Sequence, residues 1–231
     1  MTHDDPLLLW AAQGMRPGVR TWSLGDADAV ACPDLSRFDR LAVRGSVADV
    51  SELLRRVRPE VQGYRPVGDE EVVSAIPGLR EPVGFGWMDI GTATGMRSPR
   101  ARWLSDDAEV AAFLDAHHPH SYARPGASGV ARWAGIRDAE GALLGVGADA
   151  WSAPGIGFLA GVATRADARG RGVATELCAF LTDELIAAHG RVALMVDHDN
   201  LAAIRTYEKL GYAMRRVAAA TFHDRQECSG S

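Results

Sequence analysis

A strand, a glycine-bearing turn and a long helix follow one another between residues 157 and 190, and this succession constrains the fold most. An apolar run that begins at Phe158 predicts the strand. Apolar residues at i, i+4, i+7, i+8 and i+12, counted from Val173, predict a helix with one buried face. Gly170 and Gly172 let the main chain between them approach a bulky group closely. Such a turn leaves N–H groups unpaired at the helix start, which favours the binding of an anion.

The same turn carries two guanidinium groups, on Arg169 and Arg171. A diphosphate is a concentrated anion, and a glycine-rich helix start with flanking arginines suits it. The alternative interpretation is that both arginines are solvated surface charges. A nucleotide-binding loop for ATP is a weaker interpretation, because the Gly-Lys that such a loop requires is missing before Thr175.

Composition narrows the class of protein further. The formal net charge is −5, which argues against nonspecific binding of nucleic acid. No apolar run approaches the ~18 residues that a bilayer span needs, and the first residues lack the basic start of a signal peptide. Cys32, Cys178 and Cys228 show no metal-ligand spacing and are interpreted as reduced thiols. We therefore expect a cytoplasmic protein that contacts no membrane and holds no metal.

Residues 1–95 are expected to form a small α/β accessory domain. Short strands are predicted from Val19, Ala29 and Leu41, and a helix capped by Ser46 or Asp49 follows them. A short helix from Asp69 and a strand over 83–90 are predicted next. No phosphate loop, metal cluster or nucleophile–base pair occurs in this segment. A lid or scaffold is the simpler interpretation of this domain, and a wall of the acceptor pocket is the alternative. The small polar stretch 91–99 is predicted to be a linker.

Residues 100–225 are expected to form the second domain. A helix that begins at Asp106 or Asp107, an antiparallel hairpin over 130–151, and the strand of residue 157 precede the long helix. A strand over 192–196, a helix capped by Asp199 or Asn200, and a last strand over 212–220 come after it. The predicted fold class is α/β (α+β), with a central mixed, mostly antiparallel sheet flanked by helices.

Two motifs in this domain resemble the signatures of the GNAT superfamily of N-acyltransferases. Arg169-Gly170-Arg171-Gly172-Val173-Ala174 fits the pattern Gln/Arg-x-x-Gly-x-Gly/Ala, between a strand and an amphipathic helix. The second pattern, Asn-x-x-Ala-x-x-x-Tyr-x-x-x-Gly-Phe/Tyr, is met in full by Asn200, Ala203, Tyr207, Gly211 and Tyr212. The chain is therefore identified as a member of this superfamily. The accessory segment resembles the N-terminal half of glycine N-acyltransferase-like proteins only in its α/β pattern.

The resemblance implies a GNAT fold and a cleft for acetyl-CoA. It implies that pantetheine runs along the backbone of Val162, Ala163 and Thr164. It implies that the pyrophosphate lies on the turn and the first helical residues: Arg169, Gly170, Arg171, Gly172, Val173, Ala174 and Thr175. Asn200 corresponds to a position that contacts the coenzyme. Tyr207 corresponds to the acid that protonates the departing thiolate, and a purely structural core tyrosine is the alternative interpretation.

The implied reaction is transfer of an acetyl group from acetyl-CoA to a primary amine of a small molecule or peptide, by direct attack in a ternary complex. The alternative is a catalytically inactive acyl-CoA-binding sensor or interaction module. That alternative arises because Met195 stands where some relatives place a glutamate base. A water chain and four side chains are the remaining routes for the amine's proton: Asp149, His120, His198 and Asp197.

The loop over 117–129 is dense in His, Pro and Gly. Its histidines, His117, His118 and His120, are interpreted as plain loop residues, with a pocket wall or proton relay as the alternative and a metal site disfavoured. Ser121 lacks the context of a covalent nucleophile. The sequence does not identify the acceptor or the acyl chain length, and it leaves the oligomeric state open, a homodimer included.

Overall fold

The computed structural model describes residues 5–223, so Cys228 lies outside the described residues. Its contacts group into two compact units. Unit 1 comprises Met1–Gly86 and Arg215–Ser231, and unit 2 comprises Trp87–Met214. These bounds differ from the predicted domains of 1–95 and 100–225, and the two units are described separately below.

Within residues 5–223 the chain contains six α-helices and eleven strands. The helices are α1 (Pro6–Ala12), α2 (Val47–Val57), α3 (Glu70–Ala75), α4 (Asp107–His117), α5 (Val173–His189) and α6 (Leu201–Lys209). The strands are β1 (Arg20–Leu24), β2 (Ala27–Leu35), β3 (Phe38–Arg44), β4 (Arg65–Asp69), β5 (Leu79–Ile90), β6 (Arg102–Leu104), β7 (Val130–Arg137), β8 (Leu143–Ala150), β9 (Gly157–Thr164), β10 (Val192–Val196) and β11 (Ala213–Phe222).

Unit 1 contains a mixed sheet in the order β1-β2-β3-β4-β11. The β3–β4 pair is parallel, and the neighbouring pairs β1–β2, β2–β3 and β4–β11 are antiparallel. Helix α2 starts at the predicted cap, where the Ser46 hydroxyl accepts from the Asp49 N–H at 3.3 Å. Its apolar face, which includes Val50 and Leu54, is buried in the core of the unit. The amphipathic pattern therefore places this helix as predicted.

Three elements of the chain were not expected from the sequence: α1, β4 and β6. Helix α1 is capped by Asp5, whose carboxylate accepts from the N–H groups of Leu7 and Leu8 at 2.8 and 3.1 Å. Pro6 occupies the first helical position, which suits its fixed φ. These elements span seven, five and three residues. Segments so short carry too little periodicity for the pattern to register.

The stretch 91–99, predicted to be a linker, belongs to unit 2. The Thr94 N–H donates to the Asp183 carboxylate of α5 at 2.6 Å, and the Thr94 hydroxyl donates to it at 3.1 Å. At the other end, β11 pairs with β4 through Val217 and Asp69, so residues 215–222 belong to unit 1. Both stretches are thus held by contacts between residues that are distant in the chain, which local composition does not reveal.

Unit 2 contains the strands β10-β9-β8-β7-β6 in that order. The β9–β10 pair is parallel, and the other three pairs are antiparallel. The predicted hairpin is formed by β7 and β8, and β9 extends it to a meander. The expected mixed, mostly antiparallel sheet flanked by helices is thus confirmed.

Helix α5 covers this sheet with the face that its apolar spacing predicts. Val173, Leu177, Leu181 and Leu185 are at most 2% exposed and lie in one core cluster. Burial of each leucine stabilises the fold by about 1.5–3 kcal/mol. Phe180 lies at the edge of that face, where its ring packs against Trp103 with centroids 5.4 Å apart.

None of the helices within residues 5–223 combines the length and the apolar character that a bilayer crossing requires.

Candidate functional site

The strands β9 and β10 separate shortly after they begin. They pair in parallel at Gly157 with Val192 and at Phe158 with Ala193, and the pairing recorded between them ends there. On its other side, β9 continues to pair with β8 as far as Thr164. The edge of β9 that faces away from β8 is therefore open beyond Phe158 and presents main-chain groups to a ligand.

A bulge in β9 contributes to this separation. Ala160 pairs with Ala148 and Ala163 pairs with Val146, so two residues of β9 stand opposite one residue of β8. Gly161 lies in the bulge with φ +63°, and a Cβ there would come within 2.7 Å of the Trp133 ring. A bulge bends its strand and increases the local twist. Sequence reasoning missed this residue, although an isolated glycine inside a strand pattern is the usual signal.

Main-chain groups alternate in direction along β9. The Arg165 N–H donates to the Leu144 carbonyl at 2.9 Å, which fixes the direction of the alternation at the end of the strand. Thr164 therefore directs its main-chain groups towards the open edge, and those of Ala163 point towards β8. Val162 belongs to the bulge, where this alternation is interrupted.

The turn after β9 has the geometry that its glycines suggest. Gly170 and Gly172 have φ +71° and +78°, a left-handed conformation that other residues rarely adopt. Gly172 is the N-cap of α5, and no side chain within the described residues caps it. The first helical hydrogen bond runs from the Glu176 N–H to the Gly172 carbonyl at 3.0 Å. The N–H groups of the three preceding residues, Val173, Ala174 and Thr175, point out of the helix start.

The side chains of Arg169 and Arg171 in the turn make different contacts. The Arg169 side chain reaches back to β9, where its Nε donates to the Thr164 carbonyl at 3.3 Å. Arg171 is exposed. The exposed turn therefore combines positive charge with the free N–H groups at the N-terminus of α5, and both attract an anion.

An ion pair lies at this helix start. Glu176 accepts from the main-chain N–H and the Nε of Arg100, both at 2.9 Å. Burial raises the pKa of Glu176, but the hydrogen bonds from Arg100 outweigh it, so the pKa lies below its usual value. The negative charge of Glu176 is thereby balanced close to the turn. Sequence reasoning did not link these residues, because they are far apart in the chain.

Asn200 is the N-cap of α6. Its side-chain oxygen accepts from the Ala203 N–H at 3.2 Å, which gives this residue a structural role in addition to the expected contact with the coenzyme. The residue is exposed, so its remaining polar groups are accessible.

Tyr207 lies on the buried side of α6 and is 7% exposed. Its hydroxyl is hydrogen-bonded to the Cys178 thiol of α5. Burial raises the pKa of Tyr207 well above its usual value, and burial likewise raises the pKa of Cys178 to about 12. Tyr207 therefore keeps its proton at neutral pH. The structure places it in the core, with its hydroxyl directed to α5.

The four side chains considered as the general base differ in their exposure and in their hydrogen-bond partners. Asp149 is 5% exposed, and both of its oxygens are engaged, by Arg132 and Ser152. His120 and Asp197 are exposed, and His198 is partly buried. Met195, on β10, is partly buried as well.

The histidine-rich loop passes close to the bulge of β9. A Cβ on Gly161 would lie 3.1 Å from the Cβ of Ala123, so the loop reaches the strand where its edge is open. Burial lowers the pKa of His118, and His120 and Arg124 lower it further, so His118 is neutral at neutral pH. The buried Ser121 donates its hydroxyl to the Ala123 carbonyl at 2.9 Å, which orders this part of the loop.

Within residues 5–223 no three or more His, Cys, Asp or Glu side chains are grouped so that they would hold a metal ion.

Comparison with known proteins agrees with this architecture. The Acetyltransferase (GNAT) family matches residues 94–212, which is more than half of the chain, so the chain belongs to the GNAT acetyltransferase family. Comparison with curated proteins gives no significant match.

Several solved structures share the fold along nearly the full length. A GCN5-related N-acetyltransferase from Kribbella flavida superposes with a TM-score of 0.63 at 15% identity, covering 96% of this chain and 98% of its own. A GNAT-family protein from Novosphingobium aromaticivorans gives 0.59 at 20% identity, covering 94% and 97%. A GNAT acetyltransferase from Colwellia psychrerythraea gives 0.54 at 12% identity, covering 94% and 91%. At these identities the likeness establishes the fold.

Proposed function

We propose that this chain transfers an acetyl group from acetyl-CoA to a primary amine of a small molecule or peptide. Membership of the GNAT acetyltransferase family supports acyl transfer in general. The observation that carries the proposal is the open edge of β9, which is followed, after one short 3-10 turn over Ala166–Ala168, by the glycine turn at the start of α5. An extended chain that ends in a diphosphate matches this succession of main-chain groups.

The two parts of the site suit the two parts of the coenzyme. Pantetheine carries amide groups, which would pair with the main chain of Val162 and Thr164 as an added strand does. The diphosphate would lie on the N–H groups of the turn, where Gly170 and Gly172 leave open space in place of a Cβ. Arg169 and Arg171 would add charge, and Asn200 would contact the coenzyme from α6.

In the proposed reaction the amine attacks the thioester while both substrates are bound. Negative charge then develops on the carbonyl oxygen, and an N–H near Thr164 on the open edge of β9 would stabilise it. The departing thiolate takes a proton from Tyr207, which burial keeps protonated. The attacking nitrogen releases its surplus proton to a chain of water molecules, from which Tyr207 recovers its own proton. This role requires the hydroxyl to exchange its bond with Cys178 for one with the substrate.

A second function, an acyl-CoA-binding sensor without catalysis, is favoured by one specific observation. Tyr207 is almost fully buried and its hydroxyl is engaged by Cys178. Together with Met195 on β10, this leaves the cleft without an obvious acid and base. Such a protein would bind the coenzyme and would release no thiol.

The proposal also covers the location of the protein, the role of unit 1 and the segment that selects the acceptor. We place the protein in the cytoplasm, which agrees with the buried free thiols of Cys32 and Cys178. We assign unit 1 an accessory role as in glycine N-acyltransferase-like proteins, on its α/β pattern alone. The loop over 117–129 is the proposed determinant of the acceptor, because Ala123 adjoins the open part of β9.

The test combines binding and turnover. Titration calorimetry with acetyl-CoA, CoA and ATP as separate ligands measures whether the cleft selects the coenzyme. Thiol release from acetyl-CoA is then followed against a panel of amino acids, polyamines, amino sugars and peptides. Coenzyme binding with amine-dependent thiol release supports the enzyme. Binding without thiol release for any amine supports the sensor, and absence of binding rejects both.

A further inference from the structure

A chain of hydrogen bonds connects a buried carboxylate of β8 to the main chain of β9. The Ser152 hydroxyl donates to the Asp149 carboxylate at 2.5 Å and accepts from the Phe158 N–H at 2.8 Å. Asp149 is 5% exposed, and its other oxygen accepts from the Arg132 Nε at 3.2 Å. A fold tolerates a carboxylate buried to this degree when both of its oxygens accept hydrogen bonds, and both oxygens of Asp149 do.

The chain ends at the point where the cleft opens. Phe158 is the last residue of β9 that pairs with β10, through Ala193. Its N–H is held by the Ser152 side chain, on the side away from the cleft. The direction in which β9 leaves β10 therefore depends on the position of Ser152.

The backbone before Ser152 is itself constrained. Trp151 has φ +56°, which is unusual for a bulky residue and indicates strain that the surroundings must hold. Its indole N–H donates to the Ser128 carbonyl at 3.0 Å. The turn at Trp151 folds Ser152 back onto Asp149, so a strained connection sets up the hydrogen bonds.

The other end of the chain is anchored across the sheet. The Arg132 guanidinium lies 3.6 Å above the Trp103 ring, and the Trp103 indole donates to Glu184 of α5 at 2.9 Å. The anchoring residues thus come from β6, β7 and α5. Asp149 consequently has a fixed position relative to the helix whose first turn is the proposed diphosphate site.

We propose that Ser152, held in place by Asp149, is a positioning residue for the coenzyme cleft: it fixes the start of the open edge of β9. The inference rests on the proposed binding of acyl-CoA and deepens it. It also gives Asp149 a role other than the general base considered from the sequence, because its two oxygens accept from Arg132 and Ser152. Loss of the Ser152 hydroxyl removes the hydrogen bond that holds the Phe158 N–H and lets β9 shift with respect to β10.

The test compares Ser152→Ala with Ser152→Thr, which retains the hydroxyl. We expect Ser152→Ala to weaken CoA binding in calorimetry about tenfold, as loss of a charge-assisted bond does. The KM for acetyl-CoA should rise by a similar factor with kcat little changed, because the contact is made equally in ground and transition states. Ser152→Thr should restore the affinity to within about threefold of the parent.

Two further measurements separate positioning from a general loss of stability. Glu109→Gln removes another ion pair of unit 2, that with Arg137, and should leave CoA affinity unchanged. Hydrogen exchange without ligand should be faster over 158–164 in Ser152→Ala than in the parent, and unchanged in α5. Unaltered affinity and unaltered exchange in folded Ser152→Ala overturn the inference. Should the parent itself bind no CoA, the proposed function fails, and the exchange data still decide whether Ser152 holds β9.

Discussion

Tyr207 and Tyr212 lie with their ring centroids 5.6 Å apart, and their hydroxyls bond to residues one turn apart on α5. Tyr207 is hydrogen-bonded to Cys178, and the hydroxyls of Tyr212 and Thr182 are 2.7 Å apart. Burial raises the pKa of both tyrosines. The two therefore share an environment, but only Tyr207 is the proposed acid.

Tyr207→Phe tests that assignment. If Tyr207 protonates the thiolate, its loss should lower kcat about 100-fold or more with little change in CoA affinity. The cost in stability should be ~1 kcal/mol, because one buried hydrogen bond is lost and no large cavity forms. Steady-state kinetics and urea unfolding of the same preparation measure both. Since its pKa is raised, Tyr207 stays protonated on the alkaline side of neutral pH. The kcat of the parent should therefore not fall there through deprotonation of Tyr207.

Tyr212→Phe is the matched control for this experiment. It removes an equally buried hydroxyl and should cost a similar stability, while kcat stays within about twofold of the parent. Equal losses of kcat in both variants would show that the hydroxyls act only through packing. In that case Tyr207 is a core residue, as its contact with Cys178 allows.

Gly172→Ala tests the diphosphate site. An added Cβ meets no atom of the free protein within 4 Å, but it would occupy the space in front of the helix start. We expect CoA affinity to fall about tenfold or more, since the left-handed φ is strained and the N–H groups are obstructed. Gly190→Ala at the other end of α5 is the control, because its φ is +82° and its surroundings are equally open. Calorimetry should show normal affinity for that variant, at a similar cost in stability.

The fold of unit 2 was accessible from the sequence because its main signals are local. The apolar spacing of α5, the cap at Asn200 and the turn between β7 and β8 are each read within a few residues. The bounds of the units were less accessible. They depend on pairing between β4 and β11, which are distant in the chain, and on the contact between Thr94 and Asp183.

In the site as well, features encoded by neighbouring residues were predicted, and features that depend on strand pairing were not. The glycine turn and its arginines carry a local pattern, so they were predicted as a group. The bulge at Gly161 and the link from Asp149 through Ser152 to Phe158 depend on which strands lie side by side. A buried carboxylate suggests a base when only its residue type is known, and its partners give it a structural role.

Glu176→Gln tests the ion pair at the start of α5 through its pH dependence. The folded pKa of Glu176 lies below the usual 4.5, so the pair stabilises the folded state above that value and loses its effect as the pH falls through the folded pKa. We expect the variant to be ~1 kcal/mol less stable than the parent near neutral pH. The difference should shrink when both are unfolded with urea at pH ~3. A difference for Glu176→Gln that stays constant between the two pH values would contradict the ion-pair interpretation.

Substitutions at Asn200 distinguish a helix-capping role from a coenzyme-binding role, because aspartate caps a helix as well as asparagine does. Asn200→Asp should retain the bond to the Ala203 N–H and therefore the stability of the parent. If the side chain also adjoins the coenzyme, the added negative charge should weaken CoA binding several-fold, and salt should reduce the effect. Asn200→Ala should lose ~1 kcal/mol of stability together with any contact to the coenzyme. Calorimetry at low and high salt decides the matter: unchanged affinity in both variants leaves Asn200 as a helix cap and removes it from the proposed site.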